Sequence, residues 1–445
     1  MALGFLFAIL IGALLLTLPL SSTSKQALSP VAALFTATSA TCVTGLSVID
    51  IGTQLTLFGQ LVVLVLTQLG GLGITTYGTF LLVLVGRRLS VKNEFVLMSS
   101  YGVDEVNGLR SLLRWTMGLT FLIEGLGAFL LWTRYLVHAA ELHLPTDTGT
   151  LIYYAIFHSV CAFCNAGFSL HSNSLIPFQN DPVYLLVIDL LIVLGGLGFL
   201  VLYNLINTKF WRHNLKTRGR VTLHSKIVLV TTLALIAAGT AAFLFQEWDN
   251  TLKGLSLLDK IGCSLFQSIT PRTAGFNAVD MGQVKDTTRF MTALLMLIGG
   301  SPGSAAGGVK TTTLVVLIMT IIAMCKNRNE TVIFSRTIPN AVVREALVIF
   351  LLAILLILTA FGLLLLTEAP LKPDDASKLI FETISAAATV GLSINLTPSL
   401  STAGQWVIIA CMYVGRLGPL AVALLIGARE ESHRIRYPEE ELVVG

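Results

Sequence analysis

Runs of roughly 20 apolar residues, the length that carries a helix across a ~30 Å hydrocarbon layer, recur from residue 3 to residue 427 of this 445-residue chain. Nothing between them is long enough for an ordinary soluble domain. With a mean hydropathy of +0.80 and only 12% charged residues, the composition excludes a water-soluble globular fold. It predicts an all-α polytopic membrane protein. The first run, 3–20, lacks a basic leading segment and a cleavage site opening onto a soluble domain, so it reads as a spanning helix rather than a signal peptide. Six cysteines lie in apolar or loop surroundings, which favours neither a disulfide framework nor a zinc site. Cys161 and Cys164 form a CxxC, but it closes an apolar segment where a redox motif would open a helix beside a strand; packing is the better reading.

Seventeen of the 29 basic residues fall in four segments, 86–112, 207–226, 325–345 and 428–445. Because Lys and Arg concentrate in cytoplasmic loops, this asymmetry puts the C-terminus and three long loops on the cytoplasmic side of a cell membrane. The basic stretch 209–226 is explained by juxtamembrane charge next to membrane lipid, and no nucleic acid is needed to account for it.

One short pattern appears four times, each copy between two long apolar segments: LFTATSATCVTGLS from Leu34, IFHSVCAFCNAGFS from Ile156, LFQSITPRTAGFN from Leu265 and IFETISAAATVGLS from Ile380. Gly45, Gly167, Gly275 and Gly391 hold the register, although the third copy is one residue shorter before its glycine. Such self-similarity marks a tandem repeat. Each repeat reads as helix, half-helix, loop, helix, with first helices near 3–20, 113–136, 227–246 and 341–367 and second helices near 57–85, 183–206, 290–325 and 405–427. The predicted architecture is thus four tandem helix/pore-loop/helix repeats, with eight spanning helices and four re-entrant pore helices around a pseudo-fourfold central pore and both termini cytoplasmic. The divisions fall at 1–85 for the first repeat, 86–212 for a cytoplasmic loop and the second, 213–326 for the third with its interrupted second helix, 327–427 for the fourth, and 428–445 for a cytoplasmic tail. Ser29 with Pro30, Thr148, Asp259 and Asp375 occupy helix-start positions for the half-helices.

A half-helix ending at membrane depth directs its partial negative charge inward, which favours a cation. The chain that follows runs irregularly where unpaired carbonyls are costly unless they face water or an ion. The triplets Val43-Thr44-Gly45, Asn165-Ala166-Gly167, Thr273-Ala274-Gly275 and Thr389-Val390-Gly391 look like degenerate versions of the TVG core of potassium channel filters, in which carbonyl rings replace the hydration shell of K⁺. Small-residue helix contacts, frequent in membrane bundles, are the alternative for any single copy. Four copies in register argue against it.

The whole chain resembles the ion-translocating subunit of the Ktr/Trk/HKT superfamily, in particular the Ktr type. The likeness is carried by the four filter copies, TPRTAGFN at 270–277, IGGSPGSAAGGVKTTT at 298–313 and VGRLGP at 414–419. Trk-type subunits carry two further N-terminal helices that are absent here, and the sodium-preferring plant relatives carry Ser where this chain has Gly45. The resemblance implies a potassium uptake protein, not an enzyme, with K⁺ as substrate, stimulation by sodium, a homodimer of pores, and a cytoplasmic ring of KtrA-like regulatory subunits that bind the nucleotide.

Two features have further readings. The second helix of the third repeat contains Gly299, Gly300, Pro302, Gly303, Gly307 and Gly308, too many breakers for a straight helix. In the resembled family this stretch obstructs the pore below the filter, so Gly303, Ser304, Ala305, Ala306, Gly307, Gly308 and Lys310 are the expected gate; glycine packing with a snorkelling Lys310 is the alternative. Arg416, amid the last apolar helix, matches an arginine of the family. It is expected either as an electrostatic barrier to cations or in an ion pair with Glu124, Asp189 or Glu382. His158, Gln267 and Glu382, at near-equivalent half-helix positions, are expected to hold the loops by hydrogen bonds, and Arg272 to point away from the pore. The rival functions are an alternating-access symporter coupled to Na⁺ or H⁺ through Glu124, Asp189 or Arg416, and an intramembrane hydrolase using Ser301 or Ser304 with Lys310.

Overall fold

Apolar runs flanked by polar caps form helices because in lipid every backbone group must find its partner within the chain. The computed structural model describes residues 2–73, 106–138, 147–208, 221–368 and 375–418. The expected continuations 74–85 and 419–427, most of the basic loops 86–112 and 207–226, and the tail 428–445 lie outside the described residues.

The helices come in four groups. The first holds α1 (Ala2–Thr17), α2 (Pro30–Thr41) and α3 (Leu57–Leu72), and the second α4 (Val106–His138), α5 (Thr148–Phe163), α6 (Pro182–Leu197) and α7 (Phe199–Asn207). The third holds α8 (Leu223–Glu247), α9 (Leu257–Ile269), α10 (Asp286–Leu297) and α11 (Thr311–Cys325), and the fourth α12 (Asn340–Thr367), α13 (Asp375–Ala387) and α14 (Thr402–Leu417). Among the described residues, the segment from Trp115 in α4, α8 and α12 are by themselves long and apolar enough to cross a membrane. Their outward faces are apolar, with Leu233, Leu351 and Leu366 exposed, as a lipid solvent requires.

The short helices α2, α5, α9 and α13 have 12, 16, 13 and 13 residues, about 18–24 Å of rise, which falls short of a bilayer. Their start signals lie close to the expected positions. Ser29 Oγ accepts from Ala32 N–H at 3.2 Å with Pro30 in the first turn. In the second group the cap is Asp147, one residue before Thr148: Oδ2 accepts from Thr150 N–H at 3.0 Å. That bond and the Thr150 hydroxyl hold its carboxyl below the usual range. In the third, Ser256 caps, accepting from Asp259 N–H at 3.3 Å while its hydroxyl donates to the Asp259 carboxylate at 2.6 Å.

Within each group the first long helix packs on the short one, and α3 packs on α2, α6 on α5 and α14 on α13. Between consecutive groups the second long helix of one packs on the short helix of the next. α3 packs on α5, α6 on α9, α10 on α13, and α14 returns to α2. The cycle therefore closes on itself.

The second helices are not straight spans. α3, α6 and α14 stop at Gly73, Gly198 and Gly418, with φ of 85°, 87° and 86°, a region an L side chain enters only with strain. The expected single helix 183–206 is bent by 96° at Gly198, because residues 301–303 dock there: Ser301 N–H donates to Gly196 O at 3.0 Å and Phe199 N–H to Gly303 O at 3.2 Å. The expected helix 290–325 breaks into α10 and α11 around 298–310, as its glycines and proline predict. One feature has no sequence antecedent here. Residues 331–338 form a hairpin of β1 (Thr331–Ile333) and β2 (Arg336–Ile338), paired Thr331 to Ile338 and Ile333 to Arg336, turning through Phe334 and Ser335 at φ 48° and 59°.

Packing between helix and half-helix is close enough to require glycine. A Cβ on Gly70 would strike Thr41 O, on Gly195 Phe163 O, and on Gly415 Ala387 O, the same position of three half-helices. Gly125, in α4, faces open space. Gly195→Ala is therefore expected to lose about 1–3 kcal/mol, the scale of overpacking in a filled core, while Gly125→Ala is neutral or slightly stabilising. Thermal unfolding of the detergent-purified protein measures both, and equal midpoints for the two variants would refute the packing argument.

Candidate ion pathway

The four triplets sit directly after α2, α5, α9 and α13, and their backbones share one unusual shape. Val43, Asn165, Thr273 and Thr389 have φ of 56°, 59°, 76° and 50°, and Gly45, Gly167, Gly275 and Gly391 have φ of 95°, 68°, 79° and 95°. Positive φ at a β-branched residue is rare and strained, yet it occurs here at Val43, Thr273 and Thr389.

Backbone donors explain how this shape is held. Val43 N–H donates to Ala40 O at 3.1 Å, Thr44 N–H to Ser39 O at 2.8 Å, and Gly45 N–H to Ser39 Oγ at 3.0 Å. The fourth copy repeats this almost atom for atom, with Thr389 to Ala386 O at 3.1 Å, Val390 to Ser385 O at 2.8 Å and Gly391 to Ser385 Oγ at 3.0 Å. In the second, Asn165 and Ala166 donate to Ala162 O and Cys161 O at 3.1 and 2.8 Å. The third, one residue shorter, closes a smaller ring from Ala274 N–H to Thr270 O at 2.9 Å. The amides thus point back into the half-helices. Among the described residues no hydrogen bond ends on a carbonyl of any triplet.

Those carbonyls come together. A Cβ built on Gly45 would strike Ala166 O, on Gly167 Ala274 O at 2.8 Å, on Gly275 Val390 O at 2.5 Å, and on Gly391 Thr44 O. The same positions lie 3.0–3.1 Å from the Cα of the next glycine in the order 45, 167, 275, 391 and back to 45. All four glycines therefore surround one centre. Thr44 and Thr389 are fully buried with hydroxyls that have no partner. No cluster of three His, Cys, Asp or Glu exists among the described residues, and the atoms these contacts bring to the centre are backbone oxygens.

Side chains one turn into three half-helices secure the chain beyond each glycine. Glu382 accepts from the Ser393 hydroxyl, from Ile394 N–H at 3.2 Å and from the Thr397 hydroxyl at 2.9 Å. His158 donates from Nδ1 to Tyr154 O at 2.8 Å, which leaves Nε2 to accept from the Ser169 hydroxyl at 3.1 Å and Leu170 N–H at 3.4 Å. With its amide oriented to match its neighbours, Gln267 accepts from Ala278 and Val279 N–H at 3.2 Å each. Thr36, in the first copy, is too short to reach, and its hydroxyl is unpartnered.

The glycine-rich segment lies against the fourth triplet. A Cβ on Gly307 would strike the Thr389 hydroxyl and come within 2.9 Å of Ala388 O. Val309 pairs with Ile298 in a single bridge, Gly299 N–H to Val309 O at 2.9 Å, and Lys310 Nζ donates to Ala306 O at 2.6 Å. Gly303 has a φ of 69°, while Ser304 and Ala305 turn back through Ser304 Oγ to Ser301 O at 2.7 Å and Ala305 N–H to Gly195 O at 3.3 Å; Gly308 abuts Gly299. Arg416 is not in an ion pair with Glu124, Asp189 or Glu382. Its guanidinium bridges Ala305 O and Gly70 O, both at 2.5 Å, tying the segment to α3, because neutral carbonyls, unlike those carboxylates, stand within its reach.

The signal that locates this clasp is a second repeat: Gly70-Gly71-Leu72-Gly73, Gly195-Gly196-Leu197-Gly198, Gly299-Gly300 leading to Gly303, and Gly415-Arg416-Leu417-Gly418. Arg416 takes the place of a glycine in the other three copies. Glu124 accepts from Gln68 Nε2 at 3.0 and 3.2 Å. Asp189 is buried with Oδ1 unpartnered. The Ser301 hydroxyl donates to Gly196 O and Leu197 O, and Ser304 to Ser301 O, which leaves neither serine arranged with a base.

A helical membrane protein with a ring of unpaired backbone oxygens at its centre is the class these features define. The chain belongs to the TrkH family of cation transport proteins, whose pattern matches residues 7–435. It is 38% identical over its full length to the Ktr system potassium uptake protein B of Bacillus subtilis, covering 96% of that protein, and 38% identical to the protein of the same name from Vibrio alginolyticus, covering 94%. It is 35% identical to the potassium/sodium uptake protein NtpJ of Enterococcus hirae, covering 96%. In fold it is similar to the potassium transporter TrkH from Vibrio parahaemolyticus, with a TM-score of 0.72 over 96% of this chain and 85% of that one at 18% identity.

Removing the Glu382 carboxylate takes the acceptor from buried Ile394 N–H and Thr397 and from half-buried Ser393, and a buried donor left unmade costs about 1–3 kcal/mol. Glu382→Ala is accordingly expected to lower stability by roughly 3 kcal/mol or more on that scale. Thr36→Val deletes a hydroxyl without partners and should be nearly neutral. Denaturant titration of the two purified variants makes the comparison, and a neutral Glu382→Ala would remove the anchoring role.

Proposed function

We propose that this chain is the pore-forming subunit of a potassium uptake system. The observation that carries the proposal is the closed cycle of four glycines bordered by carbonyls to which no described group donates. In this reading the four groups are tandem repeats, α2, α5, α9 and α13 are re-entrant pore helices, and Val43 to Gly45, Asn165 to Gly167, Thr273 to Gly275 and Thr389 to Gly391 form a selectivity filter. K⁺ exchanges water for these oxygens, whose field strength and number match its weak hydration better than that of smaller cations. The half-helix C-termini add a favourable potential at the centre.

Below the filter, residues 303–310 form the gate and Arg416 its latch. A guanidinium bonded to the loop and to α3 both blocks the path and opposes a passing cation, so opening requires the Arg416 bonds to Ala305 O and Gly70 O to exchange. Gly299 to Gly308 supply the conformational freedom for that movement. The assembly we propose is the one the family resemblance implies: a homodimer, with a nucleotide-binding cytoplasmic ring acting on the basic cytoplasmic loops and both termini inside. The name of the Enterococcus hirae relative, a potassium/sodium uptake protein, supports a sodium contribution to transport.

Two experiments test this. In a host lacking its own potassium uptake, wild type is expected to restore growth at micromolar potassium, whereas Gly45→Ser, which forces a side chain into Ala166 O at φ 95°, should lose at least about tenfold in Rb⁺ over Na⁺ preference, about 1.4 kcal/mol. Unchanged ion preference would sink the filter assignment. In vesicles without any regulator, deletion of residues 304–306 and Arg416→Ala should each raise basal Rb⁺ uptake several-fold; flux equal to wild type in both would dismiss the gate and its latch.

A further inference from the structure

Arg272 is a buried cation to which the uptake reading gives no task. It stands at the start of the third loop, is 7% exposed, and turns away from the glycine cycle toward α8, where Nη2 donates to Thr232 Oγ1 at 3.3 Å. Its Nε has no partner. Among the described residues the ion pairs join Asp181 to Arg134 and His138, and Asp286 to Arg289, so no carboxylate stands within reach of this guanidinium. Lys310 and Arg416, the other interior cations, give their donors to neutral carbonyls. Apart from the partial charge at the α9 C-terminus, the charge of Arg272 has no counter-ion among the described residues in an apolar interior, where an unpaired charge is costly.

The guanidinium lines a small cavity with Val193 and Gly196 of α6, Thr232 of α8, Ile269 of α9 and Gly300 of the glycine-rich segment. There is room for about one water-sized particle. A water would satisfy Nε but leave the charge unbalanced. A monatomic anion satisfies both, whereas a phosphate group, free or on a lipid, exceeds the space. The Thr232 hydroxyl, which accepts from the guanidinium, donates to no group among the described residues and keeps its proton for the same ion. We infer that this cavity between α6, α8 and the third loop binds one halide-sized anion, chloride in the cell, held by Arg272 and Thr232. Such an ion neutralises Arg272 behind Thr273 without entering the glycine cycle. The inference concerns the guanidinium pocket alone, so it stands or falls independently of the uptake reading.

Crystals of the full-length protein grown in bromide test it by anomalous scattering at the bromine edge. A peak in the cavity within hydrogen-bond reach of Arg272 Nε is expected, lost in Arg272→Gln and weakened in Thr232→Val. In solution, at constant potassium, replacing gluconate by chloride should raise the unfolding midpoint of wild type, since a ligand of the native state stabilises it with concentration. The rise should saturate at or below roughly 0.15 M, physiological ionic strength, and be absent in Arg272→Gln. A cavity holding only water in wild-type crystals overturns the inference even if the variant fails to fold. So does a midpoint that responds to chloride equally in wild type and Arg272→Gln.

Discussion

The structure is organised around a conflict between lipid and backbone. At membrane depth each carbonyl must be paired or face something polar, yet twelve carbonyls in four triplets receive no hydrogen bond from the described residues. Ten of the twelve amides of the same triplets donate to the half-helices behind them, which leaves the oxygens over. That division needs positive φ at the first residue and at the glycine, and it needs glycines close enough that a Cβ would meet the neighbouring strand. A ring of oxygens with no donor is unstable alone. On the uptake reading proposed above, a cation at the centre supplies the missing partner.

Much of the remaining chain supports that ring. The half-helices are capped by Ser29, Asp147 and Ser256 at their outer ends and pack through glycines 70, 195 and 415 at their inner ends, which fixes each along its axis. Glu382, His158 and Gln267 hold the chain beyond the glycines, so the loops are pinned on both sides.

Two departures from fourfold likeness fall at the gate proposed above. In the third group the second helix opens into the segment 298–310, and in the fourth Arg416 replaces the glycine found in the other copies. The two departures meet, since the guanidinium donates to Ala305 O. This contact joins the glycine-rich loop to a charge that appears only once among the four equivalent positions. The 96° bend at Gly198 belongs to the same adaptation, because it makes room for the loop.

Most of this was legible in the amino-acid order. Apolar run length determined a helical membrane protein, and four copies of one pattern located the triplets to the residue, because a backbone that must adopt positive φ at fixed points requires glycine there. The glycines and proline of 299–308 announced a broken helix for the same reason. The sequence missed the second glycine pattern at 70, 195 and 415, whose copies are too short to stand out, and the hairpin at 331–338, whose turn uses Phe334 and Ser335 where glycine or asparagine would be the signal. It could not choose a partner for Arg416, since three carboxylates and many carbonyls were equally available along the chain. Only the tertiary structure decided that Arg416 binds Ala305 O and Gly70 O, that Arg272 faces Thr232, and that the glycines close in cyclic order. Each of these depends on distances between helices remote in sequence, and helix periodicity carries no information about which remote faces come to lie within 3 Å.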